Sequence, residues 1–321
     1  MKKVLFASTI IAGFGFAGAA SAIDLKVDGY YTNGFIFMDQ EDSVTTGDDV
    51  QTIQDFEFEI KGSEELDNGL TVYADIEVDS TSSGNNARFD DVTAGIKGSF
   101  GDFRMGNFAS DEMVDGLVPR NNGHIMEDKT VSIEEADIDE VYNSDFTSVG
   151  YKSPSFSGFS VAASYADMNG ENGATLEGPQ TGSEAFAVGA GYSGSFGEVG
   201  VKVGIAYHAI PSTDNNEILL GASVSASGFT VQAAYGDKEL GTGNDETFMG
   251  GSVSYATGPF TFTGAYAEQE EDYTNGNDRS NYYVKADYAI GGGVTASAAY
   301  GGAEEGNLSA NHGSVFLTFN F

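Results

Sequence analysis

Alternation with a period of two residues runs through almost the whole chain and restricts its fold more than any other feature. From Leu70, the residues Leu70, Val72, Ala74, Ile76 and Val78 take one side of an extended chain, and Thr71, Tyr73, Asp75, Glu77 and Asp79 take the other. From Val199, the apolar side is Val199, Val201, Val203, Ile205 and Tyr207, against Gly200, Lys202, Gly204, Ala206 and His208. Phe56, Phe58 and Ile60 alternate in the same way with Glu57, Glu59 and Lys61. Successive strand side chains point to opposite faces, so each segment reads as a strand with one apolar face and one polar or small face. Aromatic residues make up 12% of the chain and share this alternation, which argues against disorder despite the acidic composition.

The connections alternate too. Short ones fall at 64–69, 99–102, 153–158, 193–198, 227–228, 257–259 and 291–293. Longer polar ones fall at 38–52, 79–88, 109–146, 167–182, 210–217, 236–246, 268–281 and 301–313. Together they join sixteen strands, from near Leu25 to Phe321. Gly and polar turns recur evenly, there are only five prolines, and no linker divides the chain, so residues 23–321 read as one all-β domain.

A soluble sandwich also alternates. Here, however, the non-apolar face is rich in Gly, Ala, Ser and Tyr, which are not residues that a sandwich exterior requires. The apolar face ends in aromatics on both sides. Tyr165, Tyr207, Tyr235, Tyr255, Tyr266 and Tyr300 are assigned to the long-connection end, and Phe100, Phe103, Phe159, Phe229 and Phe260 sit beside short turns. Two aromatic girdles around an apolar band are the pattern of a membrane barrel. Every backbone N–H and C=O in lipid must be paired, so the sheet has to close. The expected fold is therefore an all-β, 16-stranded antiparallel transmembrane β-barrel whose last strand pairs with its first. No run of about 18 apolar residues follows residue 22, so no spanning helix is expected.

Residues 1–22 read as an export signal. Lys2 and Lys3 precede a short apolar run, Val4 to Ala17, and Ala20-Ser21-Ala22 supplies an A-x-A cleavage site. A helical anchor is the alternative, but the run is short and is interrupted by Ser8-Thr9 and by glycines from Gly13 onward. The chain has no cysteine, which suits export into an oxidising compartment. Its formal charge of −35 becomes more negative once Lys2 and Lys3 are removed, and this excludes nucleic acid as a partner.

The ending Ser314-Val315-Phe316-Leu317-Thr318-Phe319-Asn320-Phe321 resembles the last strand of bacterial outer-membrane proteins. Tyr151-Lys152-Ser153-Pro154-Ser155-Phe156-Ser157-Gly158-Phe159 is similar to the sixth-strand turn of the general porins of Gram-negative bacteria. The resemblance implies a homotrimer of sixteen-stranded barrels in outer-membrane lipid, each with its own pore. It also implies that the terminal aromatic helps the barrel-assembly machinery recognise the last strand. The third loop would fold inward and narrow the pore, with its acids facing a basic cluster on the wall.

The residues supply candidates for each part. The third long connection carries Asp111, Glu112, Asp115, Glu127, Asp128, Glu134 and Glu135, and a connection of that length is usually functional. Lumen parity gives a basic wall of Lys26, Lys61, Lys97, Arg104 and Lys152, with Lys202 and Lys285 further round. The family's cluster is usually Arg-rich, whereas this one is mostly Lys, a flexible point charge without Arg's planar fork. Asp55, Glu57, Asp75, Glu77, Asp79 and Asp91 lie toward the long-loop end, making a negative vestibule that concentrates cations. An acidic loop on the surface, and lumen charges without organisation, are the plainer readings of the same residues.

No catalytic constellation or required cofactor is expected, because His124, His208 and His312 are far apart. Clustered carboxylates make calcium possible. The fragment Gly241-Thr242-Gly243-Asn244-Asp245-Glu246 resembles a calcium repeat but does not recur. Two functions follow: a passive diffusion channel for ions and small hydrophilic solutes, biased to cations, or a structural or adhesive surface barrel whose acidic loops bind calcium or a partner. For the signal, mass spectrometry of the outer-membrane protein should find Ile23 at the N-terminus; a retained Met1 would refute the cleavage site.

Overall fold

Strand pairing follows chain order all the way round. The computed structural model describes residues 23–39, 50–80, 87–109, 112–120, 145–168, 184–241, 243–272 and 278–321. These residues contain β1 (Asp24–Asp39), β2 (Val50–Glu65), β3 (Thr71–Ser80), β4 (Ala87–Gly98), β5 (Gly101–Ala109), β6 (Asp145–Lys152), β7 (Phe159–Asp167) and β8 (Glu184–Phe196). They continue with β9 (Val199–Ile210), β10 (Asn215–Ala226), β11 (Phe229–Leu240), β12 (Asn244–Thr257), β13 (Phe260–Asp272), β14 (Arg279–Gly291), β15 (Val294–Glu305) and β16 (Leu308–Asn320). Each strand pairs antiparallel with its sequence neighbours, and β1 pairs with β16 to close the barrel. No helix among the described residues is long and apolar enough to cross a membrane. The proposed signal, residues 1–22, lies outside the described residues.

The closing seam runs from Tyr30 opposite Asn320 to Asp39 opposite Asn311. The amide of Phe321 donates to the Gly29 carbonyl at 3.0 Å, and the amide of Gly29 donates to the Phe321 carbonyl at 3.1 Å. The C-terminal aromatic is thereby tied into the ladder. On the lumen side of the seam, the hydroxyls of Thr32 and Thr318 are 2.9 Å apart.

At one end the chain reverses in tight turns. Ser227-Gly228 joins β10 to β11 with both residues at positive φ, 51° and 85°. That is the hairpin turn whose twist matches its strands, and Gly reaches the second position without steric cost. Ser157-Gly158 repeats the geometry, at 51° and 89°, between the bridged Phe156 and Phe159.

Three of the expected long connections are short. Only residues 241–243 separate β11 from β12, and 306–307 separate β15 from β16. Between β9 and β10 there is a 3-10 turn, Pro211–Thr213, followed by Asp214. Polar residues read as loop are paired strand, as in Lys238 opposite Glu246 and Gly302 opposite Asn311. Above the lipid a strand needs no apolar face, so polarity marks the water boundary and not the end of the ladder.

The outward apolar side chains form the lipid band, with Val231, Val253, Phe262 and Val284 about half exposed. Tyr165, Tyr235, Tyr266 and Tyr300 are outward at the long-connection end. Tyr255 belongs to the opposite girdle. It lies across from Phe229 beside the Ser227-Gly228 turn, with the rings 4.3 Å apart. Phe159–Tyr192 and Phe260–Tyr288 are equivalent cross-strand pairs, each at 4.9 Å. A tyrosine's ring and hydroxyl suit either interface, so Tyr does not mark one end.

The described part of the third connection, residues 112–120, packs inside the barrel. Its helix α1 (Glu112–Asp115) contacts β6, β7 and β8. Val114 and Val118 are buried with Ala162, Ala187, Ala206, Leu219, Ala234, Phe248 and Ala267. This is the largest buried apolar cluster among the described residues, and it lies between loop and wall. Because the chain has no native cysteine, closure can be tested directly. Thr32→Cys with Thr318→Cys should oxidise to one intramolecular disulfide in the folded barrel, read by mass spectrometry; two free thiols would contradict the seam.

Candidate functional site

Register, more than sequence proximity, groups the charges of the lumen. On the wall formed by β1 to β4, Lys26 lies beside Lys61, which lies beside Asp75, then Thr93. The next row toward the long-connection end is Asp28, Glu59 and Glu77, and above it Tyr30, Glu57 and Asp79. Asp55 sits higher, beside Thr32, and accepts a hydrogen bond from the Tyr30 hydroxyl at 3.0 Å. Asp91 is nearly buried on β4, two positions above Thr93. A register shift between Ile76 and Val78 interrupts the β3–β4 ladder, and pairing resumes with Val78 opposite Phe89. The wall is therefore zoned along the pore axis, with lysines below and carboxylates above.

Lys97 lies across from Asp102, and Asp102 across from Lys152, nearer the short turns. Tyr73 crosses this group, donating to Asp102 Oδ1 at 2.6 Å, while Lys97 Nζ stands 5.4 Å from the Tyr73 ring centroid. Arg104 lies one row up, its guanidinium 5.4 Å from the ring of Phe108. The aromatic faces hold both cations against the wall.

The lysines have carboxylate neighbours on their own strands. Lys26 pairs with Asp28 at 2.5 Å and Lys61 pairs with Glu59. Two residues apart on a strand is the same face, so lumen parity dictates both contacts. These pairs are solvated and contribute little to stability. Their consequence is electrostatic: the wall offsets its own lysines, while Asp55, Glu57, Glu77 and Asp79 stand above that row and Asp75 lies within it.

The loop acids are distributed differently. Asp111, Glu127, Asp128, Glu134 and Glu135 lie outside the described residues, and of Glu112 only the backbone is described. Asp115 does not face Lys26, Lys61, Lys97 or Arg104. It is buried, with its Oδ1 2.8 Å from His208 Nε2, and its Oδ2 accepts a hydrogen bond from Arg120 Nη1 at 2.8 Å. His208 is fully buried and its Nδ1 is 3.2 Å from Glu217 Oε2 on β10, directly across the ladder. A carboxylate entering an apolar contact between loop and wall needs polar partners, and it has them in Arg120 of the loop itself and His208 of β9. Gln232 on β11 donates to the Arg120 carbonyl and fixes the far end of the described segment.

His208, Glu217, Arg120 and Gln232 are site residues that the sequence pattern does not reveal. Parity does put His208 on the lumen face, where it ends a row of small residues. Nothing in the linear chain says that the third connection reaches it. Among the described residues, no three His, Cys, Asp or Glu side chains converge to hold a metal ion.

Comparisons with known proteins fit this geometry. The sequence profile of the Gram-negative porin family matches residues 7–308. The chain is 27% identical over 348 residues to major outer membrane protein P.IB of Neisseria gonorrhoeae, covering 95% of this chain and 94% of that protein. Identity to P.IB of Neisseria lactamica is 26%, with the same coverage of both chains. An anion-selective porin from Comamonas acidovorans has a similar fold, with a TM-score of 0.67 at 14% identity over 94% of this chain and 100% of that one. A porin refined at 1.8 Å resolution matches with a TM-score of 0.64 at 20% identity, over 93% of this chain and 100% of its own.

Replacing His208 by Ala should remove the partner that Asp115 and Glu217 share and leave Asp115 to Arg120, at a cost toward the lower end of about 3–5 kcal/mol. Amide hydrogen exchange of residues 112–120 should then speed up while that of the strands stays slow. Unchanged exchange in those residues would show that His208 does not hold the loop.

Proposed function

The chain belongs to the Gram-negative porin family and forms an outer-membrane channel, and on that premise we propose that it passes ions and small hydrophilic solutes by diffusion, with a preference for cations. The carrying observation is the zoned wall. Rows of carboxylates, Asp28–Glu59–Glu77 and Glu57–Asp79, stand above lysines whose charge is offset by Asp28 and Glu59. Like charges lining a confined vestibule raise the local concentration of counter-ions. The Comamonas acidovorans porin is described as anion-selective and has a similar fold at 14% identity, so the cation preference proposed here rests on the lumen side chains and not on the fold. Those side chains are mostly acidic.

Assembly is proposed to follow the family resemblance, as a homotrimer in outer-membrane lipid. The strand ending at Phe321, with Val315, Leu317 and Phe319 outward, is the proposed signal to the assembly machinery.

Reversal potentials in a potassium chloride gradient test the reading. Potassium should be preferred at low salt. The preference should shrink as added salt shortens the screening length from ~30 Å at 0.01 M to ~3 Å at 1 M. The triple variant Glu57→Gln, Asp75→Asn, Glu77→Gln should lose part of it. Chloride preference in the unmodified channel would overturn the charge argument and leave the barrel intact.

A further inference from the structure

The loop rests on glycine. Gly191 on β8 lies across from Gly204 on β9, and Gly204 across from Gly221 on β10; the row continues through Ala234, Gly250 and Ala267. Residues 117–119 cross the wall over this row. A Cβ on Gly204 would intrude on the Leu117 carbonyl oxygen and lie 2.8 Å from Leu117 C and Val118 Cα. One on Gly221 would intrude on the Pro119 carbonyl oxygen, 3.0 Å from Pro119 C and 2.7 Å from Val118 Cγ1. One row away, a Cβ on Gly189 would meet Val114 Cγ1 at 2.5 Å and the Ile205 carbonyl oxygen of β9 at 3.0 Å. At Gly204 and Gly221 the loop backbone therefore lies directly on the wall backbone.

We infer that Gly189, Gly204 and Gly221 set the bore of the pore, by letting the third connection sit flat on the β8–β10 wall. The inference rests on the lumen being the conducting path. Ordinary carbon contacts are about 3.5–4.0 Å, so a single methyl at Gly204 or Gly221 demands a retreat of roughly 1 Å. Strands β9 and β10 are paired on both sides in a closed ladder and have nowhere to go. The loop cannot slide along the wall either, being held near one end by Asp115 against His208 and at the other by Gln232 on the Arg120 carbonyl. The remaining direction is inward, toward the β1–β6 wall that bears Lys26, Lys61, Lys97 and Arg104. Wall glycines are thus specificity-determining positions that never need to touch a solute.

The test uses the full-length protein in planar bilayers, with the heat-modifiable folded band as a control for folding. Gly204→Ala and Gly221→Ala should each lose single-channel conductance and admit only smaller polyethylene glycols. Gly189→Ala should do the same, and adding Val114→Ala should restore part of the conductance, because the contact with Val114 Cγ1 is then relieved while the 3.0 Å approach to the Ile205 carbonyl oxygen remains. Gly264→Ala, where the nearest atoms to a new Cβ are at 3.9 Å and 4.0 Å, should conduct as the parent does. Parent-like conductance in folded Gly204→Ala and Gly221→Ala would overturn the inference, as would failure of Val114→Ala to rescue Gly189→Ala. A parent that does not conduct would instead sink the channel reading itself.

Discussion

A hydrocarbon bilayer offers backbone amides and carbonyls no partner, and unpaired ones are costly there. Every other feature of this barrel depends on meeting that constraint. Sixteen strands meet it only because β1 finds β16, and the last residue, Phe321, is hydrogen-bonded into the seam at Gly29. Once the ladder is closed, side chains are released from the task of saturating the backbone. The outward face becomes a solvent problem, answered by Val, Phe and Tyr in a band with aromatic rims. The inward face becomes available for charge.

Charge on the inward face is organised by register. Residues i and i+2 share the lumen, and neighbouring strands bring such pairs side by side into rows. Lys26 and Lys61 sit together, as do Asp28, Glu59 and Glu77 one step higher. Because opposite charges also alternate along single strands, the lysines find their carboxylates on the wall itself. The one loop acid whose side chain is described, Asp115, is turned away from them and spent on anchoring.

That anchoring joins packing to transport. The interior of the barrel carries an apolar core of its own, Val114 and Val118 against the alanines of β7 to β13, and a polar group of buried Asp115, His208 and Glu217 with the partly exposed Arg120. An apolar contact alone would allow the loop to slide over a smooth wall. The buried charges permit one position, since any shift would strand a carboxylate or an imidazole without its partner. A closed, stiff ladder on one side and a pinned loop on the other leave the cross-section of the pore little freedom.

Much of this was legible in the linear chain. Period-two alternation assigned Glu57, Asp75, Lys61 and His208 to one face before any pairing was known, and the sixteen strands and their seam followed from the same pattern. Polar sequence at 236–246 and 301–313 reads as loop, yet strands continue there beyond the lipid, where the apolar signal stops. The sequence pattern puts Tyr255 at the long-connection rim and the structure puts it at the other, because a tyrosine suits both. The amino-acid sequence by itself determined the strand number, the closure and the facing of each side chain, since these depend on local periodicity and on a solvent that demands saturation. Tertiary structure alone decided which charges become neighbours and where the third connection comes to rest. Register between strands and the meeting of Asp115 with His208, 93 positions apart, are long-range matters: they arise when the wall has formed and a buried carboxylate must find a cation within it.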